Sequence, residues 1–252
     1  MTRAMGTNRQ NGFTLIELLV ALGIFLLVTG AAFTLLGSSQ QRYRTESQVL
    51  NAFQEARLGL DQIVRDVNGS GYPPPSFNAG DPTLFAIAPF AWSPSYPGTP
   101  CQLGVSCATP GDFDLIVETN PNPQDPGSQV QWIRYQLQLP PQVQVPTLMR
   151  GLAPKVSGDD PATDTQPNLV PFVQNVVNSP AQPIFSYTCD NSTTPQSPPQ
   201  ACPLAAAADN IPPSIRDVII TLIVAAPQPD AISGQQRIVV LNGRGRRVNP
   251  NQ

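Results

Sequence analysis

Residues 13–36 (FTLIELLVALGIFLLVTGAAFTLL) form an apolar run interrupted by one charge, Glu17. As a helix rising 1.5 Å per residue, the run is about 36 Å long, enough to cross a bilayer core of about 30 Å. Residues 1–12 before it are polar and carry Arg3 and Arg9 with no acid. A basic flank ahead of an apolar span holds the N-terminus in the cytoplasm and sends the following chain outward. In a chain of 252 residues this leaves room for one domain of ordinary size after the membrane helix.

Two simpler readings compete for such a segment, a cleaved secretory signal peptide and a plain signal anchor. The run is longer than the roughly 7–15 apolar residues of a signal-peptide core, which opposes the first. Glu17 opposes both, because a carboxylate within hydrocarbon costs about 2.5–3.5 kcal/mol and marks a functional position.

The stretch Gly12-Phe13-Thr14-Leu15-Ile16-Glu17-Leu18-Leu19-Val20 resembles the class III signal of type IV pilins and type II secretion pseudopilins. The resemblance implies that a prepilin peptidase cuts between Gly12 and Phe13 and methylates the new amine of Phe13. It also implies that Glu17 is the assembly acid, paired in the filament with the residue-13 amine of a neighbouring subunit. A buried carboxylate needs such a partner or must be neutralised, so docking would be favoured and its register set. The expected partners are other major and minor pilins, the peptidase and the inner-membrane assembly platform. The expected location is the bacterial inner membrane, single-pass with a periplasmic head, and then the pilus or pseudopilus filament at the cell surface. Family members often carry a proline within the apolar span; here Gly23 and Gly30 are the only flexible points.

The helix is expected to continue beyond the membrane. Val49, Phe53, Ala56, Leu60, Ile63 and Val67 recur at helical spacing as an apolar stripe, with Arg57, Asp61, Arg65 and Asp66 off it. Gly69 and Gly71 are candidate C-terminal caps, and Pro73-Pro74-Pro75 ends any helix. Residues 13–68 would form one helix about 84 Å long, whose second half packs on a soluble domain.

After residue 72 the patterns are mostly those of strands. Residues 112–119, 130–139, 215–225 and 236–242 read as half-buried strands, with 182–187 as another and 169–178 ambiguous. The expected fold is α+β, a long N-terminal helix on an antiparallel sheet with long proline-rich loops. None of the 30 prolines precedes Pro73, and they cluster at 73–110, 121–126, 140–171 and 195–213, which therefore read as loops. The expected divisions are a leader at 1–12, a membrane and filament-core helix at 13–36, its amphipathic continuation at 37–72, and a head domain at 73–252. The order of Gly71-Tyr72, Tyr135-Gln136-Leu137, Leu148-Met149-Arg150 and Phe185-Ser186-Tyr187 is similar to that in minor pilins of the PilW kind and in pseudopilin J. Size and proline-rich loops lean toward the PilW kind.

The chain has no histidine, so neither a Ser-His-Asp or Cys-His device nor a histidine-ligated zinc site can be built. No catalytic residue, cofactor or metal is expected. Cys101, Cys107, Cys189 and Cys202 follow the membrane span and read as disulfides, since the topology places them outside the cytoplasm. Local pairing, Cys101 with Cys107 and Cys189 with Cys202, closes the smallest loops, although four cysteines allow three pairings. Asp159, Asp160 and Asp164 beside Ser157 and Thr163 have oxygen ligands of the kind calcium takes, but not the spacing of a known calcium loop, so a solvated loop is the reading.

After Asp230 the chain carries Arg237, Arg244, Arg246 and Arg247 with no acid, in a glycine-rich setting that reads as a flexible tail. Arg244, Arg246 and Arg247 are candidate phosphate contacts, although the net charge of −3 confines any DNA binding to this patch. The leading expectation is a minor pilin that primes or caps a type IV pilus. Its rivals are a type II secretion pseudopilin, a DNA-binding pilin for DNA uptake, and a membrane-anchored periplasmic enzyme.

Overall fold

The computed structural model describes residues 12–77, 80–92, 96–97, 101–125, 127–190, 200–204, 211–230 and 234–247. Of the expected leader, residues 1–11 lie outside the described residues. The chain divides into two units, Met1–Ser47 and Gln48–Gln252, and helix α1 (Leu15–Asn68) contributes to both.

From Leu15 to Leu36 α1 is apolar on every side apart from Glu17, and none of its most apolar 18-residue window is buried. Such a helix has no inner face to hide against its own chain. Its length and composition suit a lipid environment.

In the second unit the stripe on α1 turns inward, with Ala56, Leu60, Ile63 and Val67 all buried. The helix stops where the backbone can no longer continue. Gly69 N–H still reaches Arg65 O at 3.0 Å and Ser70 N–H reaches Val67 O at 3.1 Å. Gly71 then takes φ +77°, a left-handed conformation that a Cβ would disfavour, and the prolines follow.

The head contains two antiparallel sheets where one was expected. The first has five strands in sequential order: β1 (Phe90–Ala91), β2 (Asp114–Thr119), β3 (Gln131–Gln138), β4 (Thr147–Pro154) and β5 (Val170–Gln174). The second comprises β6 (Phe185–Cys189), β7 (Gln200–Ala201), β8 (Ile215–Ala225) and β9 (Ile238–Arg246), in the order β7-β6-β8-β9. Asn175, at φ +57°, redirects the chain from β5 toward β8, where Ala225 N–H donates to Asn175 O and Val177 N–H to Ile223 O. The main core forms where the stripe on α1 meets Leu115, Val117, Ile133, Tyr135 and Leu148 of the first sheet, together with Phe185, Val218, Ile220 and Leu222 of the second. Each such aliphatic side chain contributes about 1.5–3 kcal/mol on burial.

Four further sequence expectations change. The proline-rich stretch 140–171, read as loop, contains the eight-residue β4 and a short helix α2 (Pro161–Thr165). Its prolines flank β4, with only Pro154 at the strand's last position, where a missing N–H does little harm. Strand β3 is not half-buried, because Trp132 and Arg134 on its second face are as hidden as Ile133 and Tyr135. A second cluster covers that face: Ala88, Ala91, Trp92, Tyr96, Cys101, Ile116 and Trp132, supplied largely by the proline-rich stretch 73–110. Asp66, placed off the apolar stripe, is buried. Finally, the strand expected at 236–242 runs on to Arg246, so the supposed flexible arginine tail is a paired strand.

Candidate functional site

Helix α1 begins with a reciprocal cap. Thr14 precedes the first helical residue, and its Oγ1 accepts from Glu17 N–H at 3.3 Å. In return, Thr14 N–H and Oγ1–H donate to Glu17 Oε2 at 3.3 and 3.2 Å. Thr-x-x-Glu ahead of an apolar run is the sequence signature of a capping box, which satisfies N–H groups that a helix start leaves without intrahelical partners. The reading of Glu17 as an acid awaiting another subunit missed this local partner, although the spacing was in plain sight. An acid in the first turn is also favoured by the helix dipole. Gly12 and Phe13 lie before the helix, outside regular structure and exposed. The capping pair lies wholly after the Gly12–Phe13 bond.

Within the head, three residues from distant parts of the sequence form one buried polar group. Tyr135 Oη donates to Asp66 Oδ2 at 2.5 Å, Arg150 Nη2 pairs with the same oxygen at 3.0 Å, and Arg150 Nε donates to Tyr135 Oη at 3.0 Å. Burial, then the adjacent Asp66 carboxylate, pushes the Tyr135 phenol well above its usual value. The short Tyr-x-Leu and Leu-x-Arg motifs thus supply the two side chains that fix β3 and β4 to α1.

On the opposite face of the first sheet, Lys155, the single lysine of the chain, is buried against Glu118 with Nζ to Oε1 at 2.8 Å. Phe85 O accepts a second bond from Lys155 Nζ at 2.8 Å. Glu118 also accepts from Ile87 N–H, Trp132 Nε1 and Tyr96 Oη. Burial, then the Glu118 charge, pushes the Tyr96 phenol far up. This fully bonded charge pair fastens Phe85, Ile87 and Tyr96 to β2 and the chain just beyond β4. Arg134 similarly makes a two-pronged pair with Asp114 at 2.9 and 2.6 Å.

The structure joins Cys101 to Cys107 and Cys189 to Cys202. Asp160 Oδ1 caps α2 by accepting from Ala162 and Thr163 N–H at 2.8 and 3.2 Å. Among the described residues no group of His, Cys, Asp or Glu is placed to hold a metal ion. Arg244 and Arg246 both face Asp217, at 2.8 and 3.7 Å, and Arg247 donates to Pro213 O. The site residues therefore fall into separate places, the cap in the first unit and the disulfides and arginines in the second.

No curated protein and no solved structure matches the chain. The family model of the prokaryotic N-terminal methylation motif matches residues 7–33, a segment that includes Gly12, Phe13, Thr14 and Glu17. The proteins that bear this motif are structural subunits. The chain therefore carries at its N-terminus the class III signal of type IV pilins and pseudopilins.

Proposed function

We propose that the chain is a minor pilin of the PilW kind, a structural subunit that primes or caps a type IV pilus after cleavage between Gly12 and Phe13. The observation that carries this reading is the methylation motif at 7–33 lying on the start of an all-round apolar, unburied helix. The mature subunit would start at Phe13, span the inner membrane through α1 and hold its head in the periplasm until assembly. Thr14 would satisfy the Glu17 carboxylate in the lipid, and the methylated amine of Phe13 on a neighbouring subunit would take it over on docking. Thr14 thereby lowers the cost of keeping an acid in the membrane without removing the gain on assembly. Other pilins, the prepilin peptidase and the assembly platform are the partners. The type II pseudopilins bear the same signal, and the two systems separate by which filament incorporates the chain.

The test is the intact mass and N-terminal sequence of the protein from membranes, with and without a prepilin peptidase. Loss of residues 1–12 with one added methyl on Phe13, only when the peptidase is present, is the expected result. A chain still beginning at Met1, or cut after the apolar run, would overturn the reading and leave a membrane-anchored domain.

A further inference from the structure

Strand β9 ends the second sheet, and no described strand lies beyond it. Its hydrogen-bonding directions follow from its two ends. Arg247 N–H donates to Arg216 O, and Arg237 O accepts from Ala226 N–H, so the odd-numbered residues face β8. Arg246 N–H turns the other way and donates to Asn68 Oδ1 at 2.8 Å. In an antiparallel strand these directions alternate, so Ile238, Val240, Asn242 and Arg244 aim their backbone N–H and C=O groups outward.

Proteins usually blunt such edges by shortness, proline, bulges or cover. The other sheet edges here do so: β1 and β7 have two residues each, and β5 contains Pro171 and meets β4 at a register shift. Strand β9 has nine residues, no proline and an unbroken register with β8. Along its outer face Ile238 and Val240 are 58% and 54% exposed, followed by the side chains of Arg244 and Arg246, 57% and 55% exposed. Those two guanidiniums share one carboxylate, Asp217, so this end of the edge is net positive.

We propose that β9 is a docking edge for an extended segment of another protein chain, added antiparallel as a further strand. The segment carries carboxylates beside Arg244 and Arg246 and aliphatic side chains beside Ile238 and Val240. Main-chain bonds supply the attachment and alternate side chains the choice of partner. A second copy of β9 does not fit, because antiparallel pairing sets guanidiniums against Ile238 and Val240 and parallel pairing sets them against each other. The inference rests on the strand edge alone and stands apart from the filament reading.

The probe is the labelled peptide acetyl-Glu-Thr-Glu-Thr-Thr-Thr-Val-Thr-Val-amide, titrated by fluorescence anisotropy into the full chain in detergent micelles. Saturable binding is expected, weakened about tenfold or more by Val240→Pro, which removes one outward N–H and leaves the β8 ladder. The pair Arg244→Gln and Arg246→Gln should weaken it similarly, and salt should weaken wild-type binding. In the wild-type chain, saturating peptide should slow amide hydrogen exchange at Ile238, Val240, Asn242 and Arg244, a readout that needs no variant to fold. No saturable binding, or binding that leaves those four amides unprotected, overturns the proposal. Self-association lost in Val240→Pro, without peptide binding, also overturns it by assigning the edge to a second copy.

Discussion

Gly243 lies directly beneath Leu60: a Cβ on this glycine would stand 2.7 Å from Leu60 Cδ1 and 3.0 Å from Val64 Cγ2. Gly245, two residues on, meets Val67 still more closely. The last two inner-face residues of β9, Gly243 and Gly245, are side-chain-free because α1 occupies their space. Gly245→Ala should destabilise the head by about 1–3 kcal/mol through overpacking. Chemical denaturation should show a lower midpoint with an unchanged slope. Asn242→Ala, on the outer face of the same strand, should change the midpoint far less.

The Asp66 carboxylate is the point where α1, Tyr135 and Arg150 meet. Asp66→Ala leaves a buried phenol and a half-buried guanidinium without their shared acceptor. The expected loss is about 1.5–3 kcal/mol by denaturation, the range for a hydrogen bond to a charged group. Arg150→Ala in the Asp66→Ala background should cost clearly less than Arg150→Ala alone. An additive double mutant would show that the pair does not act as a unit.

The helix and most strands were legible in the sequence, for a definite reason. Leu60, Ile63 and Val67 repeat at helical spacing, and Leu115 and Val117 alternate as strand residues, so periodicity reports their burial directly. Periodicity failed where both faces of an element are covered. Trp132 and Arg134 lie on the side of β3 that alternation assigns to water; Trp92, Tyr96 and Cys101 cover Trp132, while Ala162 and Gln166 meet the Arg134 guanidinium. Asp66, Glu118 and Lys155 were illegible for a related reason, since each is tolerated inside only because a partner from 31 or more residues away in sequence meets it. The glycines of β9 misled in the opposite sense: Gly243 and Gly245 were read as flexibility, whereas they are the space a helix occupies. The capping box was fully legible as Thr14-x-x-Glu17 and was overlooked because the acid drew attention to a partner outside the chain.

Lys155 offers a chemical readout of the second polar cluster. As the single lysine of the chain and a buried one, it should resist amine-reactive reagents in the folded protein while the α-amine reacts. Denaturant should expose it, and peptide mapping should then find the modification at residue 155. Lys155→Met should cost about 3–5 kcal/mol, because it strands the buried Glu118 charge rather than merely removing an amine.

Three tyrosines, Tyr96 and Tyr135 buried and Tyr187 half-buried, should make the head alkali-labile. Burial, and then a neighbouring carboxylate, pushes Tyr96, Tyr135 and Tyr187 upward. Their folded values exceed the unfolded value near 10, so above that pH the unfolded chain has released protons the folded chain still holds. Stability is therefore fully present below about pH 10 and falls as pH rises beyond it, by up to about 1.4 kcal/mol per pH unit for each tyrosine. Ultraviolet absorbance should show tyrosinate appearing together with unfolding. A gradual, fully reversible titration of all three phenols in the folded state would contradict the sign.

Thr14 and Glu17 allow the cap and the assembly role to be separated. If Glu17 serves only to begin the helix, Thr14→Ala and Glu17→Ala each remove two of the three reciprocal bonds and should impair the protein to a similar degree, by the roughly 0.5–2 kcal/mol of a lost cap. If Glu17 also meets the residue-13 amine of a neighbour, Glu17→Ala should abolish incorporation into filaments while Thr14→Ala only reduces it. Both variants should still insert in the membrane, since each leaves the apolar span intact, and Thr14→Ser should behave as wild type because it keeps the hydroxyl. Membrane fractionation measures insertion and the subunit content of sheared filaments measures incorporation. Equal defects in the two alanine variants would reduce Glu17 to a helix cap, whereas a defect confined to Glu17→Ala would assign its carboxylate a partner outside its own chain.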